Sequence, residues 1–222
     1  MQNTTQAPTY NQAILAVAEA GIKALQESAL KQKAKRTPAQ ESHFLCAWMV
    51  ESLRDKRFPK MVADDLNSWI RMARSQGAGA MLPQLLQRIA IQYQQVLTTT
   101  LSEKGAIDAL IEHLDSNEWF VITDTAFSDS GAKKLKLAGN GQSSMVICEH
   151  QLSHYFDVDR LIKPLAIYVR GDEQYFAEQA LNKGLLVSQG NKKTSLIKHH
   201  KTYLVYPNNQ LSELCLLVES LA

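Results

Sequence analysis

The residues best equipped for chemistry lie together at Glu149-His150-x-x-x-His154-x-x-Asp157. On a single helix, His150, His154 and Asp157 would fall at i, i+4 and i+7, on one face. Two imidazoles and a carboxylate form a donor set for a borderline divalent cation such as zinc. No HExxH pattern accompanies them, so a helix-borne zinc hydrolase is not indicated. The competing reading is an ordinary polar turn after a strand. A second pair is Asp124 and Glu149, each just beyond a β-rich run, WFVIT and SMVIC. Carboxylates on adjacent strands can hold magnesium, which would stabilise charge on an attacked phosphate. A strand-terminal Asp serves equally well as a turn former or helix cap. A divalent metal is the only cofactor these sets call for; under any non-catalytic reading the sequence implies none.

Other reactive patterns fail on order or context. The loop GNGQSS (Gly139–Ser144) precedes a strand, whereas a phosphate cradle needs strand, glycines and then a helix N-terminus. Cys148 is close to His150 and His154 but sits inside an apolar run, which suits a buried filler better than a nucleophile. Cys46, Cys148 and Cys215 are odd in number and far apart, the pattern of free thiols in a reducing compartment.

Binding through charge is the remaining option. Net charge is only +2, but residues 1–104 carry 13 Lys/Arg against 8 Asp/Glu and residues 105–222 carry 11 against 14. The first half is therefore mildly basic, without reaching the balance of a dedicated nucleic-acid binder. Its basic groups are Lys31–Arg36 and Arg54, Lys56, Arg57 and Lys60; later come Lys133–Lys136 and a run with Lys192, Lys193, Lys198 and Lys201. Each group reads first as a solvated helix end or loop. A helix-turn-helix over Leu66–Leu86 is excluded because Pro83 would interrupt its recognition helix.

The elements that must position these residues change character near residue 116. From Tyr10 to Leu114 the apolar spacing is helical. A first helix spans Asn11–Leu30. Thr37, Pro38 and Gln40 form a start signal for a second. That second helix is apolar nearly all round (Phe44, Leu45, Trp48, Met49, Val50, Leu53), which predicts burial on most sides. Pro59 and Pro83 open a third and fourth, and Ser102 caps a fifth. From Trp119 the signal is short β-rich runs: 119–123, 145–148, 165–169, 185–188, 195–198 and 202–206. The runs 185–188 and 195–198 read as a hairpin about Gly190-Asn191. A helix capped by Asp172 follows the third strand, and a final helix is expected over 209–221, with Leu211, Leu214, Cys215 and Val218 on one face. The predicted class is α+β: a helical half (1–116, four to five helices) packed on a mixed α/β half (117–222) with about five strands.

Two resemblances bear on this. The stretch Thr37–Leu86, with PAQE at Pro38–Glu41, KRFP at Lys56–Pro59, Trp48 and Trp69, and SQGA at Ser75–Ala78, resembles an uncharacterised gammaproteobacterial family, domain of unknown function 2913. It covers about a quarter of the chain, implies a bacterial cytoplasmic protein, and carries no functional residue with it. The order helix, strand to Asp124, basic loop, strand to Glu149 resembles that of restriction-endonuclease-like nucleases. Those proteins place a lysine two residues beyond the glutamate; Gln151 stands there, without the positive charge that would position an attacking water.

The N-terminus lacks a basic n-region, and Glu19 and Lys23 interrupt its apolar stretch, so neither a signal peptide nor a membrane span is expected. Two functions remain. One is a cytoplasmic, non-enzymatic binding or adaptor protein that meets a protein or nucleic-acid partner through its basic half. The other is a metal-dependent nuclease or phosphodiesterase built on Asp124 and Glu149.

Overall fold

Thr9 and Thr37 each begin a helix by the same device. The hydroxyl accepts the amide of the residue three positions on, and the glutamine there returns its carboxamide oxygen to the threonine N–H. Two otherwise orphaned donors are satisfied at each start. The computed structural model describes residues 7–31, 35–127, 141–190 and 195–219. It divides into two units, one ending at Gln94 and the other beginning at Gln95.

The first unit is helical. It contains α1 (Tyr10–Leu30), α2 (Pro38–Arg54), α3 (Ala63–Gln76) and most of α4 (Leu82–Leu97). Pro59 leads into a single 3-10 turn, Lys60–Val62, before α3. The core is drawn from Ile14 and Val17 of α1, Leu45 and Met49 of α2, Leu66 and Ile70 of α3, and Leu86 and Ile89 of α4. Gly21 of α1 faces Leu86 and Trp48 at close range. A Cβ there would lie 2.6 Å from Leu86 Cδ1 and 3.2 Å from Trp48 Cζ3.

The second helix is not buried on most sides, contrary to its composition. Its buried residues form one stripe, Ser42, Leu45, Met49 and Ser52, while Ala47 and Val50 are exposed. The aromatic residues beside the stripe are covered locally. The Arg36 guanidinium lies 4.5 Å from the Phe44 ring centre, and Phe58 meets Trp48 edge-on at 5.9 Å.

The second unit carries α5 (Glu103–Ser116), β1 (Phe120–Ile122), β2 (Ser144–Ile147), α6 (Glu149–His154), β3 (Phe156–Asp157), β4 (Arg160–Leu161), β5 (Leu165–Arg170), α7 (Glu173–Asn182), β6 (Ser188–Gln189) and β7 (Lys201–Val205). The change of pattern at residue 116 falls inside this unit, because α5 packs against α7 and β1. Five strands form one mixed sheet in the order β1-β2-β5-β7-β6. β1 and β2 are parallel, and the other pairings are antiparallel. β3 and β4 make a separate two-stranded ribbon. The class is therefore α+β, as the pattern predicts.

Two expected elements do not form. Among the described residues, no strand pairing joins 185–188 to 195–198; Ser188–Gln189 is strand and pairs with β7. Gly190 N–H continues that pairing onto the Thr202 carbonyl. Ile197 instead packs with Val146 and Tyr168. The final helix is absent among the described residues because its capping asparagines are engaged elsewhere. Asn208 and Asn209 have φ of 54° and 52°, and Asn208 N–H donates to Glu103. The Asn209 side chain bridges the Gly184 carbonyl and the Leu186 amide. Gln174 then fixes the chain beyond, donating to the Leu217 carbonyl and accepting from Glu219 N–H. Leu211, Cys215 and Val218 are buried without a helix.

Gly21→Val tests the close helix approach. The added volume meets Leu86, which is fully buried. Overpacking of this kind costs about 1–3 kcal/mol, so the urea midpoint of helix unfolding should fall, and a midpoint at or above wild type would refute the packing described.

Candidate functional site

Among the described residues, three of the places singled out by the sequence carry reactive or charged side chains. On α6 the His150 and His154 rings stack, with centres 4.3 Å apart and planes inclined by 23°. His154 Nδ1–H donates to the His150 carbonyl at 3.0 Å. Both rings are exposed. The helix ends at His154, so Asp157 lies on β3, and the i+7 step from His150 is not helical. Among the described residues no three His, Cys, Asp or Glu side chains gather as a metal-holding group.

Asp124 and Glu149 stand two residues beyond the ends of the adjacent parallel strands β1 and β2. The two segments are tied by a bond from Glu149 N–H to the Thr125 carbonyl at 3.2 Å. Both residues are exposed.

The basic residues separate into engaged and open groups. Arg54 and Arg57 both donate to Asp55, at 3.0 and 2.8 Å, and Arg57 also lies 3.8 Å from Glu51. The hydrogen bond from Arg54, with that from Arg57, holds the Asp55 carboxyl below its ordinary range. Lys201 pairs with Glu173, and Lys198 is exposed. Lys192 and Lys193 lie outside the described residues, as does 133–136. Lys56 and Lys60 are exposed and, among the described residues, take part in no ion pair. They line a cavity of about 360 Å³ between the end of α2 and the start of α3. Leu53, Phe58, Ala63 and Leu66 supply its apolar lining. The size falls in the range of small-ligand sites, roughly 300–1,000 Å³.

Lys56 reaches this position through an unusual backbone. Its φ is 53°, the left-handed region. Its N–H donates to the Leu53 carbonyl at 3.2 Å, and Arg57 N–H donates to the Ser52 carbonyl at 3.0 Å. This is the double closure with which helices end on glycine. A side chain there costs about 1–2 kcal/mol against glycine.

The family model described as Protein of unknown function (DUF2913) matches residues 9–218. The chain belongs to that family. Membership in DUF2913 extends the resemblance seen over Thr37–Leu86 to both units. No curated protein and no solved structure matches the chain. No helix among the described residues is long and apolar enough to cross a membrane.

One polar constellation in this DUF2913 chain has no counterpart in the sequence reading. Ser144 and His200, both buried, meet at 2.9 Å between Oγ and Nε2. His200 Nδ1 lies 3.0 Å from the Lys198 carbonyl. A carbonyl can only accept, so Nδ1 carries the proton and Nε2 accepts the Ser144 hydroxyl. Burial holds the His200 imidazolium below its ordinary value of 6.5. Beside it, Glu173 accepts from both Lys201 and the Tyr203 hydroxyl. Burial and then that carboxylate raise the phenol well above its usual range, so Tyr203 stays protonated. Residues 56 positions apart leave no spacing signal, and His200 sits in a run that reads as basic surface.

His200 makes folding pH-dependent. Its folded value is depressed, so unfolded chains bind a proton that the folded protein refuses, and the contribution of His200 is complete above about pH 6.5 and lost as pH falls below it. Urea unfolding of wild type and His200→Gln should show this as a stability difference that shrinks on acidification. A difference independent of pH would contradict a neutral, buried His200.

Proposed function

We propose that this member of the DUF2913 family is a cytoplasmic, non-enzymatic binding or adaptor protein whose first unit meets an acidic protein partner at the bend between α2 and α3. The observation that carries this reading is the separation of charges there. Arg54 and Arg57 are occupied by Asp55, whereas Lys56 and Lys60 have no carboxylate partner among the described residues and stand at an apolar cavity. Residues 1–94 carry 12 Lys/Arg against 7 Asp/Glu, so the unit as a whole favours negative partners. A phosphate backbone would call on the arginine forks that Asp55 already engages. An acidic, partly apolar protein segment matches charge and cavity together. Free thiols at Cys46, Cys148 and Cys215 suit a reducing compartment.

A labelled oligoglutamate peptide bearing one leucine tests this on the full chain by fluorescence anisotropy. Binding should weaken as salt is raised, and Lys56→Gln/Lys60→Gln should weaken it by about tenfold. Stronger, equally salt-sensitive binding of a single-stranded or duplex oligonucleotide would replace the protein partner by nucleic acid. No binding of either would overturn the reading.

One observation favours a second function. Asp124 and Glu149 follow the ends of neighbouring parallel strands, offset by one residue in a register that pairs Ile122 with Val146, and carboxylates at adjoining strand ends can share a magnesium ion. The metal-dependent nuclease reading predicts manganese or magnesium uptake in calorimetry that Asp124→Asn abolishes, together with cleavage of an oligonucleotide. Uptake unchanged in that variant would remove it.

A further inference from the structure

We propose that the cavity beneath Lys56 and Lys60 is a small-molecule site for an amphipathic carboxylate: an apolar chain or ring ending in one anionic group. This rests on the reading of the first unit as the binding half and names a second, low-molecular-weight ligand for it.

Lys56 closes α2 with its backbone in the left-handed region. Left-handed φ at the residue that closes a helix is the place for glycine, and the two closing bonds to Leu53 and Ser52 need only main-chain atoms. Fold alone therefore gives no reason for a long cationic side chain there. Strain kept at a cavity-lining position points to a task for the side chain. The task is visible in what surrounds it. Lys56 lines the same cavity as Lys60, which lies just beyond Pro59 at the start of the 3-10 turn. No carboxylate among the described residues neutralises either lysine, although Asp55 is the next residue; both of its oxygens are held by arginines.

The lining defines the rest of the ligand. Leu66 is 1% exposed, and Phe58 is braced edge-on by Trp48, so that wall is rigid and apolar. The Ser52 hydroxyl, also on the lining, donates to the Trp48 carbonyl at 2.8 Å. The site thus offers apolar contact inside and two ammonium groups for the anion. A fully polar anion such as inorganic phosphate would leave the apolar wall uncovered, and an uncharged chain would leave both lysines unmatched.

Calorimetry on the full chain with octanoate, octanol and inorganic phosphate tests the site. Octanoate should bind with one-to-one stoichiometry, and octanol and phosphate each about tenfold or more weakly. Lys56→Gly is the informative variant because it relieves the left-handed residue. Its urea midpoint should equal or exceed that of wild type while octanoate affinity falls about tenfold. Lys60→Gln should also weaken octanoate and leave octanol unchanged. Octanoate binding to Lys56→Gly with wild-type affinity, or octanol binding as well as octanoate, would overturn the proposal. Octanoate bound with no oligoglutamate binding would overturn only the protein-partner reading; the reverse result would overturn only this one.

Discussion

The turn that ends α2 sets the geometry of the first unit. Two main-chain bonds, from Lys56 to Leu53 and from Arg57 to Ser52, close the helix and reverse the chain with Lys56 in a left-handed conformation. The reversal delivers Phe58 onto Trp48 and leads Pro59 into the turn that starts α3. α2 and α3 pack together beyond it, with Leu45 and Met49 of one helix and Leu66 and Ile70 of the other buried. The same reversal leaves a hollow between helix end and helix start and places Lys56 and Lys60 on its lining. Packing and ligand surface in this unit are consequences of one local structure.

In the second unit the governing problem is the burial of polar groups. Ser144, His200 and Tyr203 are all buried on or beside the sheet. Each has a partner of complementary chemistry: His200 accepts from Ser144 and donates to a carbonyl, and Tyr203 donates to Glu173. Unpaired, such groups cost about 1–3 kcal/mol each, so the pairs favour a single register for β2, β5 and β7. The Ser144–His200 pair has the donor order of a nucleophile and its base. With Ser144 at 1% and His200 at 6% exposure, however, it closes the sheet rather than facing a substrate.

Much of the architecture was legible in the sequence because it is written locally. Thr37 with Gln40, Ser102 and Asp172 begin helices where their side chains cap them. The strands at 144–147, 165–170 and 201–205 follow their β-branched and aromatic runs. What failed depended on distant partners. Asn209 has the type of a helix cap, but its side chain is engaged by Gly184 and Leu186. The apolar face of α2 overstated its burial because Arg36 and Phe58 cover two of its aromatics. For the candidate site, the basic group Arg54–Lys60 was visible as charge. Its division into two occupied arginines and two open lysines depends on the fold of Asp55 and the φ of Lys56, which no spacing encodes.

The central claim is that the hollow at the α2–α3 bend, and not the histidine pair of α6 or the strand ends near Asp124, is where this protein meets an anionic ligand. Amide chemical-shift mapping during an octanoate titration addresses it most directly. Shifts should concentrate at Leu53, Lys56, Phe58, Lys60 and Ala63 and saturate together. Shifts centred on His150–His154 and Thr125, or scattered without saturation, would contradict it.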